Sequence, residues 1–202
     1  PMADNTKQYR WIVRLVSNLR NLLQSQTAFV AGDLLWYPVQ VEAPPVPSQA
    51  PDVMVVLGRP YGDRGSYQQW KEDNIPPQVV FEIISPSNSA TEISQKQAFY
   101  ERYGVLEMFF YDPDSLEFWG LTRQAPDERL VLLNRLNLPW TSLTLGITFD
   151  MFEDGLALFY PNRERFKDPE ELYQERNQTQ RRLDRAMEKL RELGIDPSEL
   201  EE

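Results

Sequence analysis

Apolar residues recur along this chain in three different rhythms. From Lys7 to Leu23 they fall at Tyr9, Ile12, Val13, Leu15, Val16, Leu19, Leu22 and Leu23, the three-and-four spacing that lines one face of a helix. Asn5 and Thr6 carry side-chain oxygens suited to capping its start, so an amphipathic helix is predicted there. A second rhythm, short apolar blocks between turn residues, begins at Thr27. Thr27 to Tyr37 reads as a strand broken at Ala31-Gly32-Asp33. Asp52 to Leu57 (DVMVVL) and Val79 to Ile84 (VVFEII) read as buried strands. Pro38 to Pro51, ahead of both, holds five of the sixteen prolines and reads as a loop. Gly58 to Pro77 is polar and broken by Gly and Pro, and a loop of that length is expected to be functional or mobile.

After a turn at Ser85 to Ser89, Thr91 to Tyr103 is predicted helical, with Ile93, Phe99 and Tyr103 among its apolar positions and Gly104 closing it. Glu107 to Tyr111, Leu116 to Leu121 and Arg129 to Asn134 read as three more strands. The region of Trp140, Leu143, Ile147 and Phe149 is too weakly patterned to assign. The third rhythm is a heptad. Leu172, Thr179, Ala186 and Leu193 repeat every seven residues, interleaved with Arg176, Leu183 and Leu190. This predicts a C-terminal helix that either lays one stripe on its own domain or forms a coiled coil with a second copy, a homodimer. Interleaved strands and helices around one sheet make the class α/β (α+β). The expected organisation is a domain over residues 1–166 and a C-terminal helix over 167–202.

Composition narrows the chemistry. The 202 residues contain neither cysteine nor histidine, which excludes disulfides, thiolate metal sites, imidazole acid/base catalysis and His-ligated zinc. Carboxylates, Lys, Tyr and hydroxyls remain, so a metal would sit among oxygens, which favours Mg²⁺ or Mn²⁺. The net charge is −10, an argument against broad adhesion to nucleic acid but not against a local basic cleft. The apolar runs are too short to cross a membrane, and no charged and apolar leader opens the chain, so a cytoplasmic protein is expected.

Two carboxylates stand where burial makes them costly. Asp52 opens one apolar strand and Glu82 lies inside the next. A buried carboxylate needs a cation or donors to offset its lost hydration. Lys96, on the helix after Glu82, is long enough to return over the strand end. Asp, Glu and Lys form the minimum set for metal-assisted phosphodiester hydrolysis. Each has a structural alternative: Asp52 as a strand-entry residue, Glu82 on a solvent face or paired with Arg, Lys96 as a solvated helix lysine. Asp33 reads as a turn residue ahead of a further site acid, Asp112 and Asp114 as a hairpin turn. Tyr100, Tyr103, Phe109, Phe110, Tyr111 and Trp119 read as core.

The combination Pro51-Asp52-Val53, Val79 through Asn88 (VVFEIISPSN), Lys96 with Phe99-Tyr100, Tyr103-Gly104-Val105 and Tyr111-Asp112-Pro113 resembles the Uma-type family. This is a bacterial endonuclease group within the PD-(D/E)xK restriction-endonuclease-like superfamily. The loop from Gly58-Arg59-Pro60 through Arg64-Gly65-Ser66-Tyr67 to Trp70 is similar to the family's as well. The resemblance implies a restriction-endonuclease-like mixed central sheet flanked by helices, with the site at one end of the middle strands. It sets Asp52 at the Asp of the PD element and Glu82 at the Glu of ExK, with the main-chain carbonyl of Ile83 joining them on the metal. Ile84 stands where the superfamily has lysine, and Lys96 matches the migrated lysine of this family, with either a base or a phosphate-steadying role. The implied function is Mg²⁺- or Mn²⁺-dependent cleavage of DNA, with Arg59, Arg64 and Lys71 as candidate phosphate contacts. The competing function is a dimeric interaction or scaffold protein that keeps the fold without the catalysis.

Overall fold

The computed structural model describes residues 6–192; the capping position Asn5 and the last heptad position Leu193 lie outside them. Contacts divide the chain into one unit ending at Phe166 and another starting at Lys167. The first unit begins with α1 (Thr6–Leu22), whose buried stripe is Gln8, Ile12, Leu15 and Leu19. Its path lies over β1 (Ala28–Gly32). A Cβ on Gly32 would stand 3.0 Å from Ile12 and 3.1 Å from Val16, so glycine lets the helix settle onto the strand end.

The broken strand predicted at Thr27 to Tyr37 is β1 followed by β2 (Trp36–Tyr37). The two apolar blocks are β3 (Val53–Leu57) and β5 (Val79–Ile83); between them β4 (Tyr67–Gln68) pairs in parallel with β2. The expected helix is α2 (Ala90–Arg102). Next come β6 (Glu107–Asp112), β7 (Glu117–Thr122) and β8 (Val131–Asn134). The central sheet has the order β1-β3-β5-β6-β7-β8. Every neighbouring pair is antiparallel except β5 and β6. Parallel neighbours need a crossover, and α2 supplies it.

Side chains alternate across each strand, and this decides where the acids point. Val53, Val55, Phe81 and Ile83 share the core on the α1 face. Met54, Val56 and Val80 share the opposite face with Tyr100 of α2. By parity, Asp52 and Glu82 both fall on the α2 face. The antiparallel register pairs Val53 with Phe81, so one further step sets Asp52 across from Glu82.

The weakly patterned region folds as a second sheet of order β11-β10-β9, built from β9 (Trp140–Thr141), β10 (Thr148–Phe152) and β11 (Gly155–Phe159). Its strands are two to five residues long, too short for period-two alternation to stand out. Phe149 of β10 packs against Phe109 and Phe118 at 4.4 and 5.6 Å and closes the α1-side core. The fastener is Glu107 on β6, which is buried. Its carboxylate accepts the Ser142 hydroxyl and the backbone N–H groups of Leu143 and Thr144, the last two at 2.9 and 3.2 Å. Burial pushes its carboxyl above the ordinary value, against the pull of these three donors.

The long loop differs from expectation. Arg59 and Arg64 converge on Glu72, at 2.9 and 2.8 Å, and the Tyr67 hydroxyl donates to the Ile75 carbonyl at 2.6 Å. The Arg64 fork, joined by Arg59, holds the Glu72 carboxyl below its usual range. The loop is therefore pinned on itself, and both arginines are paired with its own acids, Glu72 and, for Arg59, Asp73 as well; of the three candidate phosphate contacts only Lys71 is exposed.

α3 (Pro169–Glu192) is the regular element of the second unit and has no buried residue; Leu172 and Leu183 are exposed. Among the described residues no helix is long and apolar enough to cross a membrane.

Glu107→Ala leaves a buried hydroxyl and two N–H groups without their acceptor. It is expected to destabilise the first unit by about 3 kcal/mol, read as a lowered urea midpoint with an unchanged m-value.

Candidate active site

Sequence and topology converge at the end of β5. Glu82 sits in a five-residue strand with every position buried, and is itself 3% exposed. Lys96 Nζ lies 2.6 Å from its Oε2, and the Tyr100 hydroxyl donates to its Oε1. Lys96 and Tyr100 are four residues apart, one above the other on the same face of α2. That face is set by local chemistry at the helix start. Asn88 Oδ1 accepts the Ser85 N–H at 2.9 Å and tightens the turn. Ser89 and Glu92 then form a reciprocal capping box, satisfying donors that the first turn leaves open. Gly104, with φ of +92°, ends the helix in the left-handed conformation that favours glycine.

Asp52 meets Glu82 from β3. Its Oδ2 accepts the Ile83 N–H at 2.6 Å, tying the carboxylate to the strand that carries Glu82. Gln8 of α1 reaches it from above, Nε2 lying 3.4 Å from Oδ2. These groups border a cleft of about 420 Å³ lined by Gln8, Asp33, Asp52, Glu92 and Lys96 among others. Asp33 is a turn residue, with φ of +46°, and it also lines the cleft.

Burial is the largest influence on Glu82 and pushes its carboxyl up to about 7, despite the Lys96 charge pulling it down; the Asp52 charge adds to the rise. Burial opposes the charge on Lys96 as well. There the attraction of Glu82 and Asp52 outweighs it, and the ammonium sits above its ordinary value. Tyr100 is pushed well up by burial and by Glu82, so its hydroxyl stays a donor.

The three residues singled out from sequence are thus together. Two more belong with them. Tyr100 was assigned to the core, and it is both core and a Glu82 donor; its four-residue offset from Lys96 was the available signal. Gln8 was passed over. It falls on the apolar stripe of α1, four residues before Ile12, and a polar side chain at such a position marks a buried partner. The cleft is acidic, lined by Asp33, Asp52 and Glu92 against Lys96, where a basic one would have favoured phosphate directly. Lys96 nevertheless turns inward to Glu82 and not to solvent.

The donor set fits a hard divalent cation in kind, being carboxylate oxygen throughout. Glu82 is the tighter constraint, because both of its oxygens already have partners and a cation would take Oε2 from Lys96. No group of three or more acids among the described residues is placed to hold a metal, so two carboxylates and main-chain or solvent oxygen would have to complete the shell.

The crossover-linked mixed sheet places the chain in a fold class with a solved counterpart. A structure reported as a "putative nuclease belonging to DUF820", from Anabaena variabilis ATCC 29413, superposes with a TM-score of 0.51 at 16% identity, covering 72% of this chain and 76% of that one. The family profile named Uma2, "putative restriction endonuclease", matches residues 1–151, and the chain belongs to that family. No curated protein matches it.

Glu82 binds its proton more tightly when folded than its ordinary value of 4.5 allows. Its contribution is full below pH 4.5 and is lost as pH rises through about 7. In metal-free buffer, Glu82→Gln is expected to flatten that decline and to gain about 2 kcal/mol over wild type at pH 8, measured by urea unfolding across pH. A variant that unfolds at every pH would make Glu82 a structural acceptor.

Proposed function

We propose that the chain is an endonuclease that hydrolyses DNA phosphodiester bonds with a divalent cation, Mg²⁺ or Mn²⁺, acting in the cytoplasm where such a substrate lies. The observation that carries this reading is the convergence of Asp52, Glu82 and Lys96, from three separate elements, on one strand end. Asp52, Glu82 and the carbonyl of Ile83 would hold the cation. When bound, it would polarise the phosphate and acidify the attacking water. The chain's own groups do the rest. Asp52, fixed by the Ile83 N–H, keeps its position whether or not Glu82 is protonated. Tyr100 orients the Glu82 carboxylate from below. Lys96 stays protonated under the pull of two acids, so it donates to phosphate oxygen and steadies developing negative charge instead of removing a proton.

A second reading is favoured by the acidic lining and by the absence of a three-acid cluster among the described residues. In it the fold is retained as an interaction protein with a vestigial site. Supercoiled plasmid incubated with Mn²⁺ or Mg²⁺, against EDTA, separates the two. Metal-dependent nicking is expected, with Glu82→Ala and Lys96→Ala each lowering the rate at least about 100-fold. No cleavage together with no Mn²⁺ binding by calorimetry would transfer the assignment to the interaction protein.

We also propose that α3 mediates homodimerisation. A 24-residue helix with no buried side chain and an exposed Leu172, Leu183 stripe has little to hold it in isolation. The domain division proposed with it is residues 1–166 and 167–202. Truncation after Phe166 is expected to halve the mass seen by light scattering while preserving the melting transition of the first unit. An unchanged association state would place the interface elsewhere.

A further inference from the structure

At the same end of the central sheet, against α1, a second cavity of about 220 Å³ has a lining of opposite character. Lys7, Arg10 and Arg14 of α1 and Arg165, which follows β11, border it, against one lining carboxylate, Asp154. In a chain of net charge −10 this concentration of cations is the exception. Three local acids offset part of it: Asp112 interacts with Lys7 through its charge, and two more pair directly. Asp114 lies just outside and pairs with Lys7, and Asp154 is 3.2 Å from Arg165. Arg10 is exposed and makes no ion pair among the described residues.

The cations are held in place by the fold. Residues 7, 10 and 14 are spaced by three and four, which stacks them on one helical face at a cost in mutual repulsion. Trp11 stands among them. The Arg14 guanidinium lies 4.6 Å over its ring, and the ring meets Tyr111 edge-on at 4.8 Å. Tyr111 is buried, and its hydroxyl accepts the Leu156 N–H at 3.2 Å, which fixes the floor.

The cavity and the acidic cleft have no lining residue in common, but they are joined through α1 and the β5–β6 ladder. Gln8, between Lys7 and Arg10 in sequence, is the residue that reaches Asp52. Tyr111 is the ladder partner of Ile83, whose N–H holds Asp52. One helix end and one pair of strand ends thus carry a carboxylate site on one side and a cationic pocket on the other. A ligand that used both would be an extended chain with regularly spaced phosphates.

We propose that this pocket binds a backbone phosphate of the nucleic-acid strand whose cleaved phosphodiester lies in the Asp52, Glu82 and Lys96 cleft; the assignment rests on the nuclease function proposed above. Guanidinium forks match phosphate oxygens in pairs, and the cavity admits a phosphate with adjoining sugar. The pocket supplies the attraction for DNA that the acidic cleft lacks, and it fixes the strand's direction across the end of the sheet.

The test uses the full chain and a fluorescein-labelled DNA duplex in EDTA, followed by anisotropy over a series of salt concentrations. Arg10→Glu is expected to weaken binding about tenfold or more and to reduce the slope of log K against log salt by about one. Arg129→Glu makes the same change in net charge at an exposed position beyond the far end of the sheet, and is expected to leave affinity within about twofold. Arg10→Ala, with a melting curve matching wild type, guards against a folding artefact and is expected to show a smaller loss in the same direction. Unchanged binding in Arg10→Glu, or an equal loss in Arg129→Glu, overturns the proposal. So does competition by a phosphoserine peptide as effective as unlabelled DNA of equal charge. Plasmid nicking run in parallel separates the two assignments: nicking with Arg10-independent binding removes the pocket and keeps the nuclease. Arg10-dependent binding by a chain that fails to nick plasmid with either Mg²⁺ or Mn²⁺ removes the nuclease and leaves the pocket as a DNA contact.

Discussion

The structure turns on one expensive side chain, the carboxylate of Glu82 inside a fully buried strand. Removing such a group from water costs several kcal/mol unless charge and hydrogen bonds offset it. Lys96 and Tyr100 supply the offset, and both come from α2. The helix must therefore cross over β5 at one height and one rotation. The Ser85–Asn88 turn and the Ser89/Glu92 capping box set that geometry at its start, and Gly104 releases the chain into β6 at its end. Parallel pairing of β5 with β6 follows from the same crossover. The acid and the connection that neutralises it are one construction.

Charge is distributed so that its sum is a poor guide to its use. At physiological salt, exposed charges more than roughly 8 Å apart are largely screened. The net −10 therefore says little about any one cavity. Asp33, Asp52 and Glu92 make the cleft negative, which would repel a phosphodiester but attract a divalent cation. Lys7, Arg10, Arg14 and Arg165 make the neighbouring pocket positive. On the proposed reading, one region would gather the cation and the other the phosphate of a polyanion. Arg59 and Arg64, by contrast, are paired within their own loop by Glu72 and Asp73, so little of their charge is left for a ligand.

What could be read from sequence followed the strength of each local signal. α1, β3, β5, α2 and β6 were legible because each carries a dense apolar pattern bounded by turn residues. Glu82 stood out because a charge inside VVFEII contradicts its surroundings. β9, β10 and β11 were not legible, since their alternation is spread over two to five residues and they gain stability from Phe109 and Phe118 on other strands. The pinning of the loop was not legible for a related reason: Arg59 and Arg64 stand out as cations, but their pairing with Glu72 arises only when the chain doubles back. Gln8 and Tyr100 hid in plain patterns, one on an apolar stripe and one among aromatics. In both, a buried polar atom found its partner on an element distant in sequence.

The site lysine is carried by a helix and not by the strand that carries Glu82. A lysine two residues after Glu82, at position 84, would point to the same face of β5 and run alongside the carboxylate. Ile84 occupies that place and packs against the α2-side core, so the strand end is sealed with apolar surface. The ammonium arrives instead from α2, across the face, and ends 2.6 Å from Oε2. This arrangement couples the lysine to the state of the acid. While Glu82 is its partner, Lys96 lies over the strand end, only 22% exposed along its side chain. Lys96 also lines the cleft with Asp52 and Glu92, where the substrate phosphate is proposed to sit, so its ammonium is within reach of both. On the proposed reading, Asp52, Glu82 and the Ile83 carbonyl would hold the cation, and a lysine borne on the helix can serve either Glu82 or the substrate phosphate, where a strand-borne one would stay beside the carboxylate.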